Sequence, residues 1–210
     1  MLYEVRAYTM TPGRAAEEAV EDFGRIIERR VRLSPLVGFF RCAMGELNRI
    51  LHIWEYESSA HRESVRAETL RQPWWPPLKA GHILKQVTRL MRPAPFRPRP
   101  LSGALGSVYV IRSDFLRTGT FKEVSARWAE LLPERERLSP LAAAFANPAG
   151  EFESGVLNEF LHLWPYRGLA HWAEVREREA ALPGWRESLA PFAASQTAEA
   201  WLPAPYSPMR

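Results

Sequence analysis

The sequence predicts an α+β fold in which two β-α-β-β-α-β repeats pack sheet to sheet. Three observations carry that prediction. The pattern Leu-Asn-x-x-Leu-His-x-Trp-x-Tyr occurs twice, at 47–56 and 157–166. The surrounding segments 47–75 and 157–185 match without a gap at 12 of 29 positions. Each copy also shows the same order of strand and helix periodicities.

In the first copy, residues 2–9 alternate with a period of two. Glu4, Arg6 and Tyr8 fall on one face, and Tyr3, Val5 and Ala7 on the other. Thr11-Pro12 offers a helix cap followed by proline at the first helical position. Ala16, Val20, Phe23, Ile27 and Val31 then recur at helical spacing, to about Arg32. Residues 36–44 read as a strand, Gly45-Glu46 as a turn and 47–56 as the next strand. Ser58 or Ser59 caps a second helix reaching about Leu70, and 82–91 form the last strand.

The second copy repeats these marks. Tyr3, Arg6 and Gly13 pair with Tyr109, Arg112 and Gly119, and Leu33-Ser-Pro-Leu36 recurs as Leu138-Ser-Pro-Leu141. The offset grows from 105 to 110, which places about five extra residues around Asn147 to Ser154, expected as a longer hairpin loop. The order is the ferredoxin-like split unit, a four-stranded antiparallel sheet with both helices on one face. Two such units bury their bare faces against each other and close a barrel. The expected organisation is a repeat at 1–91, a linker at 92–104 and a repeat at 105–210. The linker stretch Arg92-Pro-Ala-Pro-Phe-Arg-Pro-Arg-Pro100 favours polyproline II, extended enough to carry the chain across a small domain.

Composition excludes several classes of function. Hydrophobic residues make up 46% and charged residues 25%, ordinary for a globular protein. No apolar run is long enough to cross a bilayer, and Met1 to Arg6 lacks a basic-then-apolar leader, so a cytoplasmic protein with no membrane partner is expected. The net charge of +4 comes from basic residues scattered among acidic ones, which argues against nucleic acid as a partner. Cys42 is the single cysteine and reads as a buried thiol.

Alternation also sorts the third strand. Leu51 and Ile53 suit packing under the helices, which leaves His52, Trp54 and Tyr56, with Asn48, for the barrel interior. Asn158, His162, Trp164 and Tyr166 follow in the second copy, and Glu4, Arg6 and Tyr8 join from the first strand. Aromatic surface with a few oriented polar groups resembles a ligand pocket. The structural alternative is that these groups satisfy one another, Glu4 with Arg6 or His52 with Tyr56.

The combination Tyr3-Glu-Val-Arg6-x-Tyr8-x-x-x-Pro12-Gly13, Gly38-Phe-Phe, Gly45-Glu-Leu-Asn48 and His52-Ile-Trp54-Glu-Tyr56 resembles the NIPSNAP family of the dimeric α+β barrel superfamily. The resemblance spans 2–91 and 105–202 and implies a barrel and further association of chains into a homo-oligomer. It implies little about reaction, since related barrels include cofactor-free monooxygenases of aromatic polyketides, haem-degrading enzymes and small cyclases. The second half departs from the pattern with Val110 for Glu4, Pro165 for Glu55 and Thr118 for Pro12. A site centred on the N-terminal half is therefore expected.

Within that site, His52 is the candidate acid–base group, with Tyr56, Arg6 and Glu4 beside it. Asn48, Trp54, Tyr8, Arg112, Asn158, His162, Trp164 and Tyr166 are candidate ligand contacts. Tyrosine donates to a carbonyl or phenolate oxygen, and Arg6 or Arg112 holds a carboxylate or enolate. His61 and His171 read as capping or packing residues. Trp74-Trp75 and Trp185 suit either a lid over the barrel mouth, a contact between chains or simple packing. No zinc signature, phosphate-binding glycine loop or nucleophile elbow is present, so no metal and no cofactor are expected; haem held by one histidine is the minor alternative. Two functions fit. One is a protein that binds a small aromatic or polyketide-like molecule and performs cofactor-independent acid–base chemistry. The other is a non-catalytic binding or scaffold protein with a packed barrel interior.

Overall fold

A computed structural model describes residues 1–148 and 155–210. The extra residues of the second copy lie partly outside these, at 149–154. The first repeat contains β1 (Leu2–Met10), α1 (Ala15–Arg30), β2 (Leu36–Met44), β3 (Arg49–Tyr56), α2 (Ser59–Leu70) and β4 (Ile83–Pro93). The second contains β5 (Val108–Leu116), α3 (Phe121–Glu136), β6 (Ala143–Ala146), β7 (Glu159–Tyr166), α4 (Leu169–Ala180) and β8 (Ala193–Pro203). All strand pairs are antiparallel, and the sheet closes in the order β1-β3-β2-β8-β5-β7-β6-β4. Closure removes every sheet edge, with β2–β8 and β4–β6 as the seams between repeats.

A buried hydrophobic cluster occupies the middle of the barrel. Val5, Phe40, Leu51, Ile53 and Met91 of the first repeat meet Ile111, Phe145, Leu161, Leu163 and Trp201 of the second. Each repeat has a second core between its sheet face and its helices. In the first, Phe23 and Ile27 of α1 cover Phe39, Trp54 and Tyr56. In the second, Val124, Trp128 and Leu132 of α3 cover Phe160, Trp164 and Tyr166.

The two faces are therefore the reverse of the sequence expectation. Leu51 and Ile53 enter the barrel, and His52, Trp54 and Tyr56 lie under the helices. Burial on both sides explains the reversal. The closed sheet leaves the middle of the barrel to aliphatic and aromatic side chains, with the ion pairs Arg49–Glu199 and Arg89–Glu159 on the same inward face. The helix side receives arginines that reach in along their apolar stems and satisfy buried oxygens.

Interior tyrosine hydroxyls differ between the repeats. Tyr3 Oη donates to Glu55 Oε2 at 2.9 Å. In the second repeat the residue beside Tyr109 is Pro165, and the buried Tyr109 hydroxyl has no partner among the described residues.

Helix α1 begins later than Thr11-Pro12 suggests. The Thr11 N–H is committed to the His82 carbonyl at 2.8 Å, and Gly13 turns the chain at φ +105°, so the helix starts at Ala15. Ser58 caps α2 by accepting the His61 N–H. The proline-rich stretch is pinned across the seam. The Ala94 N–H donates to Ala144, the Leu101 N–H to Ala142, and Phe96 packs on Trp128. The C-terminal stretch returns the exchange, with Ala204 donating to Phe39 and Tyr206 Oη donating to the Val20 carbonyl.

Candidate functional site

Both repeats build the same assembly between sheet and helices. Register sets Glu4 beside Trp54 and Arg6 beside His52; Val110 beside Trp164 and Arg112 beside His162 repeat it. Alternation thus groups Glu4, Arg6, Tyr8, His52, Trp54 and Tyr56 as expected, and likewise Arg112, His162, Trp164 and Tyr166. Asn48 and Asn158 stand outside both groups. They occupy the turns before β3 and β7 with φ of 57° and 60°, and their carbonyls accept the Met10 and Leu116 N–H groups. Their role is to make a left-handed turn that few residues other than glycine and asparagine accept.

In the first repeat the Trp54 indole N–H donates to His52 Nδ1 at 2.7 Å. The proton of the neutral ring is then on Nε2, which is buried and has no partner among the described residues. Tyr8, Phe23 and Phe39 enclose the ring at centroid distances of 5.0, 5.1 and 5.2 Å. Burial, aided by the charges of Arg6 and Arg30, holds the His52 pKa well below 6.5, so the ring is neutral.

Glu4 anchors the rest. Its carboxylate accepts Arg6 Nη1 at 2.9 Å, Arg62 Nε at 3.0 Å and Tyr56 Oη at 3.2 Å. Burial pushes this carboxyl up, but Arg6, Arg62 and Arg66 outweigh it and hold the pKa below the usual range. Arg30, from the last turn of α1, lies over Trp54 at 4.0 Å and donates to Ser34 Oγ and Tyr56 Oη. What stays open is about 20 Å³.

The second repeat keeps the frame and changes the filling. Arg135 lies over Trp164 at 4.1 Å and donates to Tyr166 Oη and the Ser139 carbonyl. The Trp164 N–H donates to His162 Nδ1 at 2.7 Å. His162 Nε2 lies 2.6 Å from Oδ2 of Asp114, which stands in the place of Tyr8. Burial depresses the His162 pKa against the opposing pull of Asp114, and the Asp114 carboxyl is held low despite its burial by that hydrogen bond. The pair is a neutral imidazole donating to a carboxylate, so both ring nitrogens are occupied. Neither His52 nor His162 presents an open lone pair to a ligand.

Three replacements open the second site. Val110 stands for Glu4, Trp172 for Arg62 and Glu179 for Thr69. Glu179 accepts Arg135 Nε at 2.9 Å and Arg176 Nη1 at 2.8 Å. The result is a cavity of about 450 Å³ walled by Arg112, Arg135, Trp164, Tyr166, Trp172 and Trp185. Open space is therefore in the C-terminal half, not the N-terminal half that Glu4 suggested, because the Glu4 carboxylate and its arginines are what fill the first site.

Sequence reasoning missed Arg30, Arg135, Asp114 and Glu179. A signal existed for two of them. Arg30 and Arg135 precede the serine of the repeated Leu-Ser-Pro-Leu by four residues at the same offset of 105. Trp75 and Trp185 pack against Phe23 at 6.0 Å and Trp128 at 4.8 Å, closing the helix-side cores and not the barrel mouth. His61 and His171 accept the Glu57 and Arg167 N–H groups at the starts of α2 and α4. Among the described residues no cluster of three metal-ligating side chains occurs, and no helix is long and apolar enough to cross a membrane.

A sequence model of the NIPSNAP family matches residues 3–98 and again 109–208. The NipSnap protein of Drosophila melanogaster is 25% identical over 174 residues, 79% of this chain and 60% of that protein. A NipSnap homolog from Dictyostelium discoideum is 35% identical over 74 residues, 35% of this chain and 33% of its own length. The chain thus spans less than two thirds of these relatives. A proposed monooxygenase from Lactobacillus acidophilus superposes with a TM-score of 0.66 over 97% of this chain and 93% of its own, at 9% identity. An anthrone oxidase-like protein gives 0.61 over 96% and 90%, at 10% identity. At such identities the likeness shows the fold alone.

Proposed function

This chain belongs to the NIPSNAP family, and from that premise we propose that it binds a small aromatic or polyketide-like molecule in the helix-side cavity of its second repeat. The observation that carries the reading is the contrast between the repeats. One frame of arginine, tryptophan and tyrosine is closed by its own side chains at Glu4 and open at Val110. The open version offers tryptophan faces for a flat ring and guanidinium and phenol donors for its oxygens.

Chemistry at this site is cofactor-independent charge stabilisation. Arg112 and Arg135 hold negative charge that develops on a ligand oxygen, and Tyr166, whose pKa burial raises, keeps its proton to donate. The name of one fold neighbour, an anthrone oxidase-like protein, agrees with an aromatic ligand by analogy of fold. The buried hydrophobic cluster in the middle of the barrel favours a second reading, a scaffold with no ligand.

Titration with 2-naphthol, followed by tryptophan fluorescence, separates the two. Binding reading: saturable quenching in the wild type, lost in Ala198→Trp, which fills the cavity wall. Equal signals in both proteins, or none in either, favour the scaffold.

A further inference from the structure

We infer that the second-repeat cavity is built for an aromatic carboxylate, whose carboxyl group sits where the Glu4 carboxylate sits in the first repeat. This rests on the reading that the cavity binds a small aromatic molecule, and adds the charge and seat of that molecule. In the first repeat one carboxylate gathers Arg6 Nη1, Tyr56 Oη and Arg62 Nε. In the second repeat the matching donors Arg112 and Tyr166 persist on the same strand positions, while the acceptor has become Val110. The first repeat carries as a side chain what the second must take from solution.

The donors left behind bear this out atom by atom. Arg112 Nε is buried without a hydrogen-bond partner among the described residues. Arg112 Nη2 reaches Asp114 only at 3.5 Å, the limit of a hydrogen bond, and Asp114 is already engaged by His162 and Gln196. The Tyr166 hydroxyl accepts from Arg135. Its own proton lacks the acceptor that Glu4 gives Tyr56. Glu179 binds Arg135 and Arg176 through one oxygen each, and neither the Arg112 guanidinium nor the Tyr166 hydroxyl donates to it.

Charge and shape select the class. Four arginines, Arg112, Arg135, Arg176 and Arg186, line the cavity against the single carboxylate Glu179, with Asp114 behind the wall. An anion adds to that balance and gives Arg112 a closer partner than Asp114, whose Oδ1 lies 3.5 Å from Nη2. The first repeat's third donor, Arg62, is replaced by Trp172. A ring attached to the carboxyl group thus meets an indole face at the position where a bare carboxylate meets a guanidinium.

The test uses the full chain, 2-naphthoate and its neutral isostere 2-naphthamide, titrated by calorimetry. The expected result is naphthoate binding at least about tenfold tighter than naphthamide. Arg112→Gln should remove that advantage, lowering naphthoate affinity by about tenfold more than it lowers naphthamide affinity. Val110→Glu should abolish naphthoate binding by installing the first repeat's own carboxylate, and Val110→Gln, matched in size, should weaken it far less. Arg112→Gln decides the matter if Val110→Glu does not fold. Equal affinities for the two probes, both lost in Ala198→Trp, would overturn the carboxylate and leave the aromatic site standing. Binding of neither probe would overturn the site itself.

Discussion

Arg49 of the first repeat is ion-paired with Glu199 of the second, at one end of the barrel. At the equivalent place at the other end the charges are exchanged, and Glu159 of the second repeat takes Arg89 of the first at 2.5 Å. Two copies of the first repeat would set Arg49 against Arg89, and two copies of the second would set Glu159 against Glu199. The exchange favours pairing of unlike repeats, which is specificity by repulsion as well as attraction.

Arg49→Glu is accordingly expected to lower stability by about 2 kcal/mol, since two partly buried carboxylates then face each other. Adding Glu199→Arg should recover most of the loss. Urea midpoints of the single and double variants measure the coupling. Additive losses would show that the pair does not interact.

Glu4 is the keystone of the closed site. Glu4→Gln leaves Arg6, Arg62 and Arg66 without their shared anion and should cost about 3 kcal/mol at pH 7. The sign with pH follows from its depressed pKa. Its contribution is fully present above the ordinary value of 4.5 and is lost as pH falls through the lower folded value. The gap between wild type and variant should therefore shrink at pH 3. A gap independent of pH would contradict the account.

The histidines give a slope in a higher window. Both have folded pKa values below 6.5, so the unfolded chain takes up protons that the native one refuses. Their contribution is present above 6.5 and is lost as pH falls below it, at up to about 1.4 kcal/mol per pH unit for each ring. His52→Gln, which keeps an acceptor near the Trp54 N–H, should flatten the fall between pH 6.5 and 5. An unchanged slope would mean that His52 is charged in the native protein.

Tyr3 and Tyr109 form a matched pair of opposite sign. Tyr3→Phe removes the bond to Glu55 and should cost about 1 kcal/mol. Tyr109→Phe removes a buried hydroxyl without a partner and should be neutral or stabilising. Thermal midpoints of the two variants are enough to compare them.

Alternation in the chain was enough to group His52, Trp54 and Tyr56 with Glu4, Arg6 and Tyr8, because a period of two depends on the backbone alone. Which group faces the barrel was not legible the same way. Both faces are buried, and the choice turns on which one receives arginines from α1 and α2, a tertiary fact. Asn48 and Asn158 were misplaced because the strand pattern, taken from 47, begins two residues too early; the left-handed backbone at Asn48 and Asn158 delays the strand to Arg49 and Glu159. Val110 was visible as a departure from the family pattern. Its meaning was not, since loss of an acidic group reads as loss of chemistry until the space it leaves is seen.

The eight indole N–H groups supply the most direct test of where a ligand sits. Indole resonances assigned by nitrogen-15 labelling should be followed as 2-naphthoate is added. Shifts concentrated at Trp164, Trp172 and Trp185 are the predicted result, with Trp128 following and Trp201 in the barrel unmoved. Shifts confined to Trp201, or to Trp54, Trp74 and Trp75, would place the site in the barrel or the first repeat and contradict the account.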